Sequence, residues 1–360
     1  MKTVNRLKKL MTRAENGETL TIGFLGGSIT QGSLASSDRL TYAYRVFTWW
    51  QEKFPQAEFH YVNAGIGGTD SHFGVSRVYQ DLLMYRPDFV VLDFSVNDDM
   101  SDVSFLQETF EGVIRRIYYS ETEPAVIVLN NVCYDTGSNA QDAHNEVADH
   151  YGIPHVSIKD TLLRRIEAGE FRRAELTPDN LHPNDKGHEL VAGEICKLLQ
   201  NVWDCNEIFE PSETETKIFP MTINAYEQAE RLTIRNASPL LKGFYTDTEE
   251  KKGHLDFFKN GWIGRKVGDT ICFTVNASCI AVQYRKTIHR PAPVASLVLD
   301  GDIANAVLLD ANFEQDWGDC LFLQRILHHG EKKEHTIEIK IVEACENLQT
   351  AFYLLSLICV

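Results

Sequence analysis

In the first half of the chain, short and mostly apolar runs alternate with longer stretches whose apolar positions recur at helical spacing. The runs at 21–25, 58–63, 88–94 and 125–129, with a weaker one at 153–158, predict strands. Apolar runs without polar alternation are typical of strands buried on both faces. Residues 42–54, 71–85, 105–119, 139–151 and 186–203 predict helices, and Pro55 closes the first of them. Residues 1–18 predict one more, short and amphipathic. This alternation implies a parallel sheet covered on both faces, a three-layer α/β/α arrangement. Parallel strands end together, so the polar and glycine-rich turns after the first three strands should open on one sheet edge, where ligands of open α/β folds sit.

The pattern changes near Trp203. Residues 210–217 are polar and read as the core of a linker, which gives a first domain at 1–208, a linker at 209–217 and a second domain at 218–360. In the second domain, strand-like runs at 218–223, 231–235, 269–275, 280–284, 296–299, 306–309, 335–341 and 352–360 are separated by turns such as Gly268-Asp269, Asp300-Gly301 and His329-Gly330. Many short strands without helices predict an all-β sandwich of the jelly-roll kind.

Composition narrows the function. A chain of 360 residues is long for one core, in agreement with two domains. Its net charge of -16 argues against nucleic acid and anionic membrane as partners, and a neutral substrate such as a sugar suits it better. The eight cysteines include no C-x-x-C pair, and the histidines show no metal-ligand spacing, so neither a metal nor an organic cofactor is expected. The basic residues of the N-terminal segment precede no apolar stretch of signal length, and a cytoplasmic location is the expectation. Self-association into a homo-oligomer is compatible with the sequence.

The candidate chemistry gathers at the strand ends. After the first strand, Gly26 and Gly27 permit a sharp turn that presents Ser28. Phosphate motifs fail here: Ser33 stands where a P-loop needs lysine, and Asp70 occupies the last glycine position of a dinucleotide loop begun at Gly65. The nucleophile elbow fails as well, with Thr30 at its second glycine. In Asp179-Asn180-Leu181-His182-Pro183-Asn184, Pro183 keeps His182 out of the following helix, which Asn184 or Asp185 can cap. A carboxylate three positions before an imidazole can bond one ring nitrogen and aim the other at Ser28, the orienter, base and nucleophile logic of a hydrolytic triad. Three further residues are candidates for substrate contact. His72 follows the glycine turn at 65–68, and Trp262 and Trp317 both lie among turn residues.

Gly26-Gly27-Ser28-Ile29-Thr30, Gly68 in Asn63-Ala64-Gly65-Ile66-Gly67-Gly68, Asn97 in Ser95-Val96-Asn97-Asp98, and Asp179-Asn180-Leu181-His182 together resemble, in order, the four blocks of the SGNH (GDSL-type) hydrolases. The resemblance covers residues 18 to 205. It implies that Ser28 is the nucleophile, His182 the general base and Asp179 its orienter. It also implies that the N–H groups of Ser28 and Gly68 and the side chain of Asn97 form an oxyanion hole. Gly27 replaces the aspartate of the first block and Ser95 the glycine of the third. The Gly-Gly-Ser-Ile-Thr variant followed by a β-rich domain is similar to bacterial carbohydrate O-acetylesterases. An acetylated mannan or xylan oligosaccharide is then the expected substrate, and the second domain is expected to resemble a carbohydrate-binding module. A lipid or thioester hydrolase of the same superfamily and a sugar-binding protein with an inactive hydrolase domain are the alternatives.

Overall fold

The computed structural model describes residues 2–205, 217–253, 255–344 and 350–360, in two compact units, Met1–Glu227 and Gln228–Val360. The first unit runs α1 (Lys2–Glu15), β1 (Thr19–Gly26), α2 (Ser28–Gln31), α3 (Tyr42–Lys53), β2 (Glu58–Gly65), α4 (Ser71–Asp81), β3 (Phe89–Asp93), α5 (Val103–Tyr118), β4 (Ala125–Asn130), α6 (Gln141–His150), β5 (His155–Ser157), α7 (Arg164–Glu167) and α8 (Asp185–Asp204). The five strands pair in the order β2-β1-β3-β4-β5, all parallel, as the alternation of runs predicts. Strands β3 and β4 are buried at every position, which is why their sequences carry no polar alternation. On one face, Leu20, Ile22, Phe24, Phe89, Val91 and Ile127 pack with Leu7, Leu10 and Met11 of α1, Val46 and Trp50 of α3, and Ile195 of α8. The side chains between them, Val90, Leu92, Val126 and Val128, point the other way and are just as buried.

The first unit extends further than expected. Residues 218–223 form no strand of the sandwich. Their backbone docks on α5 instead: Met221 N and Thr222 N donate to the Glu111 carboxylate at 2.6 and 2.8 Å, and Arg115 donates to Ile218 O at 2.8 Å. Ala225 N adds a bond to Glu108 at 2.8 Å. A buried carboxylate thus satisfies backbone donors that a strand would have paired with a neighbour. The boundary falls after Glu227 and not at 218, and the expected linker, apart from Lys217, lies outside the described residues.

The second unit is all-β, as expected. Its strands are β6 (Glu230–Leu232), β7 (Leu240–Lys242), β8 (Tyr245–Thr246), β9 (Trp262–Gly264), β10 (Thr270–Ala277), β11 (Ile280–Lys286), β12 (Val294–Leu299), β13 (Val307–Asp310), β14 (Cys320–Leu327), β15 (Lys333–Glu343) and β16 (Phe352–Cys359). One antiparallel sheet has the order β13-β12-β15-β10-β7 and the other β14-β11-β16-β9-β8, with β6 paired on β16. Ile271, Phe273, Ile337 and Ile339 of the first sheet share one core with Val282, Tyr284, Leu354 and Leu357 of the second.

Candidate active site

Three strand ends and one helix-preceding loop meet around Ser28. At the end of β1, Gly27 N donates to Asp93 O of β3 at 3.1 Å, and Ile66 N donates to Gly26 O at 3.0 Å, so the turns after β1, β2 and β3 are tied at the backbone. Beneath them Arg77, fully buried in α4, donates to Gly26 O at 3.0 Å and Ala64 O at 2.7 Å, pinning the ends of β1 and β2. The shared sheet edge expected for these turns is therefore present.

Ser28 opens α2 and is 8% exposed. Its Oγ lies 2.8 Å from His182 Nε2, and His182 Nδ1 lies 2.6 Å from Asp179 Oδ2. The other oxygen, Asp179 Oδ1, accepts from His182 N at 2.7 Å and Leu181 N at 3.0 Å. Asn180 makes this local closure possible by adopting φ of +67°, a conformation that asparagine tolerates. A carboxylate only accepts, so Nδ1 carries the proton and Nε2 turns its lone pair to the Ser28 hydroxyl, which donates. Burial by itself would raise the Asp179 pKa. The imidazole, followed by the two backbone N–H groups, outweighs it and holds the carboxyl below its ordinary value.

The His182 loop is fastened to the Ser28 side by the expected cap and by two contacts that the sequence did not disclose. Asn184 caps α8, accepting from Lys186 N and Gly187 N. This frees Asp185 to accept from Ser36 N and Ser36 Oγ, both at 2.7 Å. One turn on, His188 accepts from Tyr42 N through Nδ1 at 3.2 Å and donates from Nε2 to Ser33 O at 3.3 Å. Burial pushes His188 down to about 4, so it is a neutral structural clamp. Both clamps hold the segment that follows Ser28 against the helix that follows His182.

Two further groups converge on Ser28. Asn97, held by its backbone N–H to Phe94 O at 2.9 Å, presses its side chain so closely on Gly27 that a Cβ there would overlap Asn97 Oδ1. Beyond β2, a Cβ on Gly67 would stand 3.6 Å from Ser28 Cβ, which puts the 67–68 turn beside the nucleophile. Gly67 N donates to Gln31 Oε1 at 2.6 Å, and Gly68 has φ of +66°, where a side chain would be strained. An activated hydroxyl with polar groups gathered beside it is equipped for acyl transfer.

Two of the residues expected to touch substrate do not reach it. His72 is 4% exposed and lies edge-on between Phe105 and Tyr226, because α4 turns that position towards α5. Trp262 is 1% exposed in β9, edge-on to Phe273 in the sandwich core. Its glycine-rich neighbours look like a turn, yet they let the strand pass close to β16. Trp317, by contrast, is 56% exposed and stands edge-on to Phe313. Among the described residues, Cys279, His328 and His329 bring potential metal-ligand atoms within 4.8 Å of one another, in the second unit.

Residues 24–190 match the GDSL-like lipase/acylhydrolase family. A crystal structure of a two-domain esterase active on acetylated mannans is 48% identical, with a TM-score of 0.93 over 98% of this chain and 94% of that one. A second crystal structure of such an esterase, co-crystallised with mannopentaose, is also 48% identical over the same shares, with a TM-score of 0.92. An acetylxylan esterase of Geobacillus stearothermophilus is 26% identical over 172 residues, 42% of this chain and 78% of that protein.

Proposed function

This chain belongs to the GDSL-like lipase/acylhydrolase family and is a carboxylic ester hydrolase, and from that premise we propose that it removes O-acetyl groups from hemicellulose-derived oligosaccharides, mannan before xylan. The observation that carries the mechanism is the relay from Asp179 through His182 to Ser28, at 2.6 and 2.8 Å.

In this mechanism Ser28 Oγ attacks the acetyl carbonyl carbon and passes its proton to His182 Nε2. Asp179 keeps the ring in the tautomer that can take that proton and stabilises the imidazolium. Negative charge develops on the former carbonyl oxygen, and the N–H groups of Ser28 and Gly68 with the Asn97 amide are assigned to receive it. Collapse breaks the bond to the sugar oxygen, which leaves with the proton from His182. Water, deprotonated in turn by His182, attacks the acetyl-serine and releases acetate. In the second unit, the exposed ring of Trp317 is assigned to contact with the sugar chain.

Acetate release from acetylated manno- and xylo-oligosaccharides, followed by mass spectrometry, tests the reading. Ser28→Ala is expected to lose on the order of 10⁴ to 10⁶ in kcat while staying folded. A tenth of wild-type activity remaining would overturn the nucleophile. Trp317→Ala is expected to slow oligosaccharide turnover and spare p-nitrophenyl acetate. Faster cleavage of long-chain than of acetyl p-nitrophenyl esters would point to a lipase-type enzyme instead.

A further inference from the structure

Asp98 follows Asn97 directly, and its carboxylate is buried behind the site. Oδ1 accepts from Ser71 N at 2.7 Å, and Oδ2 lies 2.7 Å from His144 Nε2. Ser71 opens α4 three residues after Gly68, so one carboxylate joins the turn bearing Asn97 to the turn bearing Gly68. The positive end of α4 favours a negative charge at that place. Burial, followed by the charge of Asp98, pushes the neighbouring Asp70 carboxyl up to about 6.

His144 comes from α6, outside the four motif blocks, and is completely buried. Its ring lies flat on Phe110, with centroids 3.8 Å apart and planes 8° from parallel. Among the described residues Nδ1 has no hydrogen-bond partner, and the ring directs its polar contact, from Nε2–H, at Asp98. The residue before α6 holds the same turn from the other end, with Ala140 N donating to Ser95 O at 2.7 Å. A buried carboxylate oxygen that lost its donor would have to find water or another partner, and the turn would move with it.

We propose that His144 is a positioning residue for the oxyanion hole: by holding Asp98 it fixes the Asn97 side chain relative to the Gly68 N–H. The proposal rests on the assignment of Asn97 and Gly68 as oxyanion donors. Such donors act only when held within about 0.5 Å of the productive geometry, and a shift of about 1 Å can cost on the order of 10² in rate.

A double-mutant cycle with p-nitrophenyl acetate tests it. His144→Phe keeps a flat ring against Phe110 and removes the donor. It is expected to lower kcat by about 30- to 100-fold with KM within about 2-fold of wild type. His144→Gln, whose amide nitrogen reaches the position of Nε2, is expected to recover kcat to within about 5-fold. In an Asn97→Ala background most of the His144→Phe loss should vanish, because the donor it positions is gone. A His144→Phe enzyme with wild-type kcat, a loss confined to KM, or a loss undiminished in that background would overturn the proposal alone. Unchanged kcat in Asn97→Ala itself would overturn the oxyanion assignment and the proposal together. Should His144→Phe not fold, Asp98→Asn, which sets a donor against Nε2–H, must show the same loss and the same non-additivity, or the proposal falls.

Discussion

Ser28 and Asp179 stand at the two ends of one relay, but the chain holds them by different means. The Ser28 turn is buried and fixed largely at the backbone, through Gly27 N to Asp93 O and Ile66 N to Gly26 O. Its glycines lie where neighbouring atoms leave no room for a side chain. The Asp179–His182 loop is more exposed, with 44% of the Asp179 side chain open to solvent, and one carboxylate organises it by accepting from the ring and backbone of His182 and from Leu181 N. Close packing together with buried backbone hydrogen bonds sets the geometry of the nucleophile, whereas the hydrogen bonds of one half-exposed carboxylate set that of the base. Substitutions in the turn should therefore cost stability and activity together, and substitutions in the loop activity alone.

The strongest test of that contrast is Asp179→Asn. The amide can still accept from the backbone N–H groups, but it offers a donor to Nδ1 and favours the wrong tautomer of His182. A loss of about 10³ to 10⁴ in kcat is expected. An exposed position of this kind should change stability by no more than about 0.5 kcal/mol. Calorimetry showing a fall of several degrees in Tm would mean that the loop, too, is held by packing.

Gly27→Ala probes the other side. The added Cβ displaces the Asn97 side chain, and a loss of about 10² in kcat is expected together with about 1–2 kcal/mol of stability. Activity lost at unchanged stability would erase the distinction between turn and loop.

The same contrast explains what was legible in the sequence. Doubly buried parallel strands leave mostly apolar runs, and the Ser28, Gly68, Asn97 and Asp179–His182 blocks mark the site, because each carries its candidate group within a short contiguous stretch of characteristic residues. Long-range contacts leave no such trace. His144 meets Asp98 across 46 positions, and His188 meets Tyr42 across 146. Residues 218–223 have strand-like composition but give backbone donors to the side chain of Glu111. In the sandwich, β14 escaped detection because its burial pattern does not alternate, and β9 because three residues among glycines are too short to show a period.

The last test, which reads stability and leaves the reacting groups untouched, concerns Asp93, which lies under the Ser28 turn at 2% exposure. Oδ2 accepts from Thr30 Oγ1 and from Asn131 Nδ2, each at 3.0 Å, while Oδ1 has no partner among the described residues. Burial pushes this carboxyl up to about 7, only partly offset by those two bonds. The folded protein therefore keeps a proton that the unfolded chain, with an ordinary carboxyl near 3.8, has already released. Stability from this group is fully present below about pH 4 and is lost as pH rises towards 7, the reverse of a salt-bridged aspartate. Asp93→Asn, which cannot ionise, should remove that loss. Its stability relative to wild type is expected to rise by about 3 kcal/mol between pH 5 and pH 8. Urea unfolding at the two pH values measures the difference directly. A constant difference would mean that Asp93 is ionised throughout. The turn would then rest on a buried charge and not on packing around a neutral acid, and the contrast with the Asp179 loop would narrow to one of exposure.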